Sequence, residues 1–333
     1  MFNAAAIVLV LSSTIVAVLA LMAAFTGVSA AIGWNARSSS ARQLRRERRV
    51  FLVESTIGVV LALQCVIFFL FLHTADRIHE QLAGAMCAAG SLHASRYGYP
   101  LLLLHVIGFV LAATWLLVNR ATRCAVERRV VRIKQLSLLV IAIALAAQPA
   151  LQVAYFAELR PEVLTSCCST IFSSQADGVG SWLARMPASE VRIAFALMLL
   201  TTLAIGSAVL RRAASPLWFA GAALLMALVA MASLVAWIGP DVYGVASHHC
   251  PFCVLAPDHH YVGYPLYASL AAALVTAVSC GALRVVTGSP SGSPPERRLC
   301  RTSIVAWITF GALSWAPIIG SLLLPGGIED VLP

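Results

Sequence analysis

Apolar positions along this chain come in long unbroken runs, not in the alternation of a strand or the stripe of a surface helix. Eight runs stand out, at approximately 4–33, 50–73, 100–118, 136–157, 191–210, 217–238, 264–283 and 303–323. A helix needs about 20 apolar residues to cross the hydrocarbon core of a bilayer. Inside that core every backbone amide must be satisfied within its own segment, so runs of this length predict helices. The pattern therefore predicts an all-α polytopic membrane protein with about eight transmembrane helices. Composition strengthens this reading: 60% of the 333 residues are hydrophobic and 11% are charged. A soluble domain carries roughly 45–50% apolar and about 25% charged residues. A soluble enzyme, a disordered tail, a fibrous repeat and a small disulfide scaffold are all excluded.

The formal charge of +9 changes the picture only once its positions are sorted. Basic residues crowd into the turns 34–49, 119–135, 211–212 and 284–301, which together hold eighteen of the 23 lysines and arginines. Positive residues stay on the cytoplasmic side, so these turns are expected inside and both termini outside, on a periplasmic face. The charge is then an insertion signal, and nothing in it requires nucleic acid. The first run has no basic residue before Arg37, so it lacks the leading region of a cleaved signal peptide. The expected location is the bacterial cytoplasmic membrane, in contact with lipid. Residues 286–302, rich in Gly, Ser and Pro, read as a flexible cytoplasmic linker.

Three longer segments, 74–99, 158–190 and 239–263, face outside on this map, and the chemistry collects there. Of nine cysteines, Cys87, Cys167, Cys168, Cys250 and Cys253 fall in these segments. Cys65, Cys124, Cys280 and Cys300 lie in helices or inner turns, where a thiol behaves as a small apolar group. All eight histidines lie in or near the outer face: His73, His79, His93, His105, His248, His249, His259 and His260. Of these, His73, His79 and His105 read as interface residues, whereas two doublets bracket Cys250-Pro-Phe-Cys253.

The two-residue spacing of Cys250 and Cys253 permits a redox-active disulfide. Proline is favoured in a first helical turn, so a helix is expected to start at Cys253, where its N-terminus and nearby imidazoles favour the thiolate. The same thiols, with His248, His249, His259 and His260, also suit zinc or copper; a static structural disulfide is the third reading. Cys167 and Cys168 are neighbours and cannot form an unstrained bond with each other, so each is expected to pair elsewhere, with Cys87 or with the Cys250–Cys253 pair. Residues 171–187 read as a short helix lying flat on the membrane. Glu54, an acid within the second run, is expected to snorkel or to pair with Arg48 or Arg49, and otherwise to serve a proton path. Tyr261, Tyr264 and Tyr267 read first as interface anchors.

Ser166-Cys-Cys-Ser169-Thr-Ile-Phe-Ser-Ser174 with following glycines, then two apolar runs, then Cys250-Pro-Phe-Cys253 before another run, resembles vitamin K epoxide reductase and its bacterial homologues. The resemblance covers about residues 136–285. It implies a four-helix redox-type bundle there, preceded by an N-terminal three-helix membrane region (1–135, with outer loop 74–99). The linker 286–302 and a C-terminal helix with an outer tail (303–333) follow. It further implies a quinone cofactor beneath the Cys-x-x-Cys, with Cys253 on the quinone side, near Tyr261 and Tyr264. Cys250 would be the exchanging thiol, Cys168 the loop cysteine that reaches it, and a periplasmic thioredoxin-like dithiol protein the partner. The sequence departs from the family in two places. Arg160 stands where the family has its upstream loop cysteine, so Cys167 or Cys87 must substitute. Residues 254–265, with Asp258 and two histidines, separate Cys253 from the next apolar run.

Two functional expectations follow, with a structural subunit braced by disulfides as a third. One is a membrane thiol–disulfide oxidoreductase that passes electrons between outer-face cysteines and a quinone. The other is an exofacial Cys/His protein that handles copper, zinc or a haem-related cofactor.

Overall fold

The computed structural model describes residues 4–32, 34, 40–123, 125, 127–160, 178–288 and 292–323. Among them are eight helices long and apolar enough to cross a membrane, and no strand. The protein is an integral membrane protein of the all-α class, as its apolar runs require.

The chain forms two compact units, one of residues 1–166 with 279–296, the other of 167–278 with 297–333. In the first unit, α1 (Ala4–Ile32), α2 (Ala41–Ile78), α4 (Gly98–Ala121) and α5 (Arg128–Glu158) pack side by side, with the short α3 (Ala88–His93) against α2 and α4. In the second lie α6 (Val179–Ala184), α7 (Ala188–Leu210), α8 (Pro216–Ser233) and α9 (Gly239–Tyr243). The helices α10 (Gly263–Thr287) and α11 (Pro294–Leu323) contribute to both units. These units do not follow the boundaries at 135 and 285 expected from the sequence. The run at 136–157 belongs to α5 and packs on α1, and the final helix joins the second unit. Cys300 Sγ there donates to the Gly206 carbonyl at 3.4 Å, and Ser303 Oγ to that of Ala273 at 2.7 Å.

The helices also extend beyond their apolar runs. α2 begins at Ala41, where Ser40 Oγ accepts from the Gln43 amide at 3.3 Å, so most of the basic turn 34–49 is helical. α11 begins at Pro294, inside the stretch expected to be a flexible linker, and its Glu296 carboxylate accepts from the Gly292 amide at 2.8 Å. Arginine and glutamate are good helix formers, and each residue added to an existing helix gains a hydrogen bond without a new nucleation cost.

Small residues set the packing of the first unit. Ala6, Ser13, Ala17, Ala20, Ala24 and Gly27 line the buried side of α1, which allows close helix approach where lipid supplies no hydrophobic drive. Into that space come polar side chains of α5. A Cβ on Gly27 would meet Gln135 Oε1, and one on Gly108 would lie 2.5 Å from Gln148 Nε2. Gln64 Nε2 donates to Gln148 Oε1 at 2.9 Å, and Gln152 Nε2 to Ser13 Oγ at 2.9 Å. His105, expected at the interface, is fully buried, stacked on Phe71 at 4.3 Å and 3.0 Å from Gln152 Nε2. A helix position two turns inside its own start is covered by neighbours even when it lies near one membrane face.

Glu54 pairs with neither Arg48 nor Arg49. Those positions are not three or four residues away and so do not share its face. Its partner is Lys134 of α5 at 2.7 Å, whose side chain is only 3% exposed, with Gln135 Nε2 donating at 3.4 Å. Removing one member of a buried pair leaves an uncompensated charge, whereas replacing both with apolar groups is often neutral. We therefore expect Lys134→Met to lower unfolding stability by about 3 kcal/mol, and Lys134→Met with Glu54→Leu to recover most of it. Thermal unfolding in detergent reads both.

Candidate functional site

The second unit builds its site around a break in helical register. Pro240 has no amide hydrogen and its ring crowds the carbonyl four residues earlier. The helix responds by widening: Leu234–Ile238 is a π turn, closed by the Gly239 amide on the Leu234 carbonyl. A Cβ at Gly239 would lie 2.9 Å from that carbonyl oxygen, so glycine permits the close approach. A π turn leaves a carbonyl outside the ordinary ladder, and such turns concentrate at functional sites. Here the Val235 carbonyl takes a hydrogen bond from His249 Nδ1 at 2.9 Å. Because a carbonyl only accepts, Nδ1 carries the proton in this contact.

Next to His249 stands the Cys-x-x-Cys. The Sγ atoms of Cys250 and Cys253 lie within 4.8 Å of one another. Two tyrosines hold the loop from below. Tyr243 OH donates to the Cys250 carbonyl at 2.5 Å, and Tyr267 OH donates to the Pro251 carbonyl, also at 2.5 Å. Both hydroxyls grip the backbone between the thiols, so the pair is presented on a clamped loop. Cys250 is fully buried and Cys253 half-buried.

The helix expected to open at Cys253 is a single 3-10 turn, Cys253–Leu255, followed by another at Pro257–His259. Asp258, Pro257 and the doublet break it, with His260 and Tyr261 both at positive φ, and the spanning helix α10 starts only at Gly263. One 3-10 turn aligns too few peptide dipoles to favour a thiolate as a full helix does. The imidazoles serve the tyrosine instead: the rings of His248 and His259 pack on Tyr243 at 4.6 and 4.5 Å. Among the described residues of this unit, no imidazole nitrogen or carboxylate oxygen lies within 4.8 Å of both sulfurs. His260 is exposed, as are Tyr261 and Tyr264, whose rings contact each other at 5.9 Å.

A groove of about 570 Å³ adjoins this loop, and His249 lines it together with Met186, Arg192, Trp237, Asp241 and Pro317. Arg192 reaches both carboxylate oxygens of Asp241 through one nitrogen, at 2.9 and 2.7 Å. The guanidinium also lies 5.4 Å from the Trp237 ring centroid. Two buried donors of its lining residues lack an acceptor among the described residues: Arg192 Nε and Trp237 Nε1. Buried N–H groups without partners are costly, so the groove suits a ligand that brings carbonyl oxygens. Arg192, Asp241, Trp237 and Tyr243 were not among the residues that the sequence singled out. The available signal was one acid and one base near the ends of neighbouring apolar runs, with Pro240 between the acid and the run.

Of the other candidates, Cys87 belongs to the first unit, where it is buried and precedes α3; the Ala88 amide beside it donates to Asp76 Oδ1 at 3.3 Å. Cys167 and Cys168 lie outside the described residues. So does the first part of the flat helix expected at 171–187, of which the described remainder contains α6, with Trp182 exposed. Comparison of the chain with protein-family models, with curated proteins and with solved structures found no match.

The clamp gives a direct test. Each tyrosine hydrogen bond contributes about 1 kcal/mol, which is about a fivefold change in local opening. Tyr243→Phe is therefore expected to speed maleimide labelling of Cys250 about fivefold, and the double variant with Tyr267→Phe further, with little change at Cys65.

Proposed function

We propose that the protein is a membrane thiol–disulfide oxidoreductase that exchanges electrons between outer-face cysteines and a membrane quinone. The observation that carries this reading is the pair of Cys250 and Cys253 sulfurs within 4.8 Å on a loop clamped by Tyr243 and Tyr267. Sulfurs at that separation need only side-chain rotation to reach the 2.05 Å of a disulfide, and the clamped backbone limits how far they separate on reduction.

The exchange runs by thiolate attack. With Cys250 and Cys253 joined, an incoming thiolate attacks Cys250 sulfur, the S–S bond breaks and Cys253 leaves as a thiolate. A second thiol of the donor then displaces Cys250, and the donor departs as a disulfide. Two electrons and two protons have passed to the Cys250/Cys253 pair. The donor is an outer-face thiol pair drawn from Cys87, Cys167 and Cys168, itself reduced by a dithiol protein. A quinone, when bound, would supply a sink for two electrons and two protons; Cys250 and Cys253 would return to the disulfide.

The groove fits such a group on its own chemistry. Trp237 and Pro317 offer flat apolar walls, and the orphaned Arg192 Nε and Trp237 Nε1 donors match a ligand with ring carbonyls. Asp241 holds the guanidinium in place. His249, with Nδ1–H committed to the Val235 carbonyl, lines the same groove in a fixed orientation. Both termini on the periplasmic side and the cytoplasmic membrane as location belong to the same proposal.

In nanodiscs containing a short-chain quinone analogue, free thiols at Cys250 and Cys253 are expected to disappear after reduction by dithiol. Cys253→Ala abolishes that loss. Arg192→Leu slows it about tenfold while leaving reaction with a soluble disulfide unchanged. Stoichiometric zinc or copper in chelator-free protein, with both thiols inert to quinone, would establish the metal-handling reading in its place.

A further inference from the structure

A second groove, of about 610 Å³, lies in the first unit, away from any thiol. Its rim is Arg128, Arg129 and Arg132, from the first two turns of α5. Its floor includes Val28 and Ile32 from the end of α1 and Leu136 from α5. Charge thus sits at the level where both helices leave the apolar span, and the floor runs from there toward the hydrocarbon side. Arg128 to Leu136 covers two turns, about 12 Å along the axis.

Among the described residues, none of the three guanidiniums takes part in an ion pair. The ion pairs recorded among the described residues are Arg77–Glu80, Arg96–Glu158, Lys134–Glu54 and Arg192–Asp241. None involves the rim, and the first turn of α5 carries no acid. Cations at a helix N-terminus also oppose the macrodipole, so this cluster is doubly unfavourable until an anion reaches it. The contrast with Lys134, two residues further on, is direct: that cation is buried and paired. One rim side chain is already positioned. Arg129 Nη2 donates to the Val285 carbonyl at 3.2 Å, and its guanidinium lies where a Cβ on Gly288 would stand 2.9 Å away.

We propose that this groove binds an anionic glycerophospholipid of the surrounding bilayer, its phosphate on Arg128, Arg129 and Arg132 and an acyl chain along Val28, Ile32 and Leu136. Arginine forks match phosphate oxygens in paired hydrogen bonds, and basic pockets between spanning helices on the cytoplasmic side recognise lipid headgroups in this way. A soluble phosphate compound would satisfy the rim and leave the apolar floor bare. An insertion signal alone needs basic residues in the turn, but not three of them around one apolar groove. The site stands independently of the thiol chemistry.

Native mass spectrometry of the full-length protein, after exchange into phosphatidylglycerol or phosphatidylcholine of equal chain length, tests it. Wild type is expected to retain phosphatidylglycerol at least tenfold more than phosphatidylcholine. Each arginine near a headgroup is worth about fivefold in binding, so Arg128→Gln with Arg132→Gln should lower that retention about 25-fold. Leu136→Glu keeps all three arginines but places a carboxylate on the floor, and should also lose the lipid. Equal retention of the two lipids, or unchanged retention in the double variant or in Leu136→Glu, would overturn the proposal. So would displacement of phosphatidylglycerol by millimolar inorganic phosphate, because the acyl chain would then contribute nothing.

Discussion

Hydrocarbon offers no hydrogen-bond partner, and almost every feature of this protein follows from how its polar groups are satisfied without water. The backbone meets the constraint by forming helices across each apolar run. The side chains meet it in two different ways. In the first unit, glutamines, serine and histidine from α1, α2, α4 and α5 pair across helices, and Lys134 closes on Glu54. Those contacts need short interhelical distances, which the small residues of α1 and Gly108 allow. In the second unit, the backbone itself departs from the helix at Pro240, and the released carbonyl and the nearby charges are satisfied by side chains of the site.

That difference separates a scaffold from a site. In the first unit, the polar contacts are spread along the helices and most of their members are fully buried. In the second, one proline rearranges five residues, and the consequences converge: Trp237 on the π turn, Asp241 one residue beyond Pro240, and His249 anchored to Val235. Tyr243, ending the same segment, reaches forward to the thiol loop. The clamped cysteines, the oriented imidazole and the groove with its orphaned donors thus share one local cause.

The arginine-rim groove shows the same constraint at the edge of the membrane. Charges that reach water need no partner, and charges inside must have one. Those at the boundary, backed by apolar surface, are best met by a molecule that is itself half charged and half apolar. Under the proposed lipid site, basic residues in the turns would do two jobs that the sequence alone does not distinguish, orienting the chain and recognising lipid.

The eight spanning helices were legible from the sequence, because length and apolarity are local properties. The helix ends were less so, since charged residues continue a helix into water as readily as they end a run. The partner of Glu54, the burial of His105 and the grouping of α5 with α1 depend on which helices are neighbours, and apolar runs of similar composition carry little information about that. The sequence also suggested imidazoles around the thiols, whereas the structure brings them to Tyr243 and Val235. Its own contribution was class and span positions. Only the tertiary structure decided that Arg192 pairs with Asp241 and shares a groove with Trp237 and His249, because that proximity is created by packing of α7 against a segment distant along the chain.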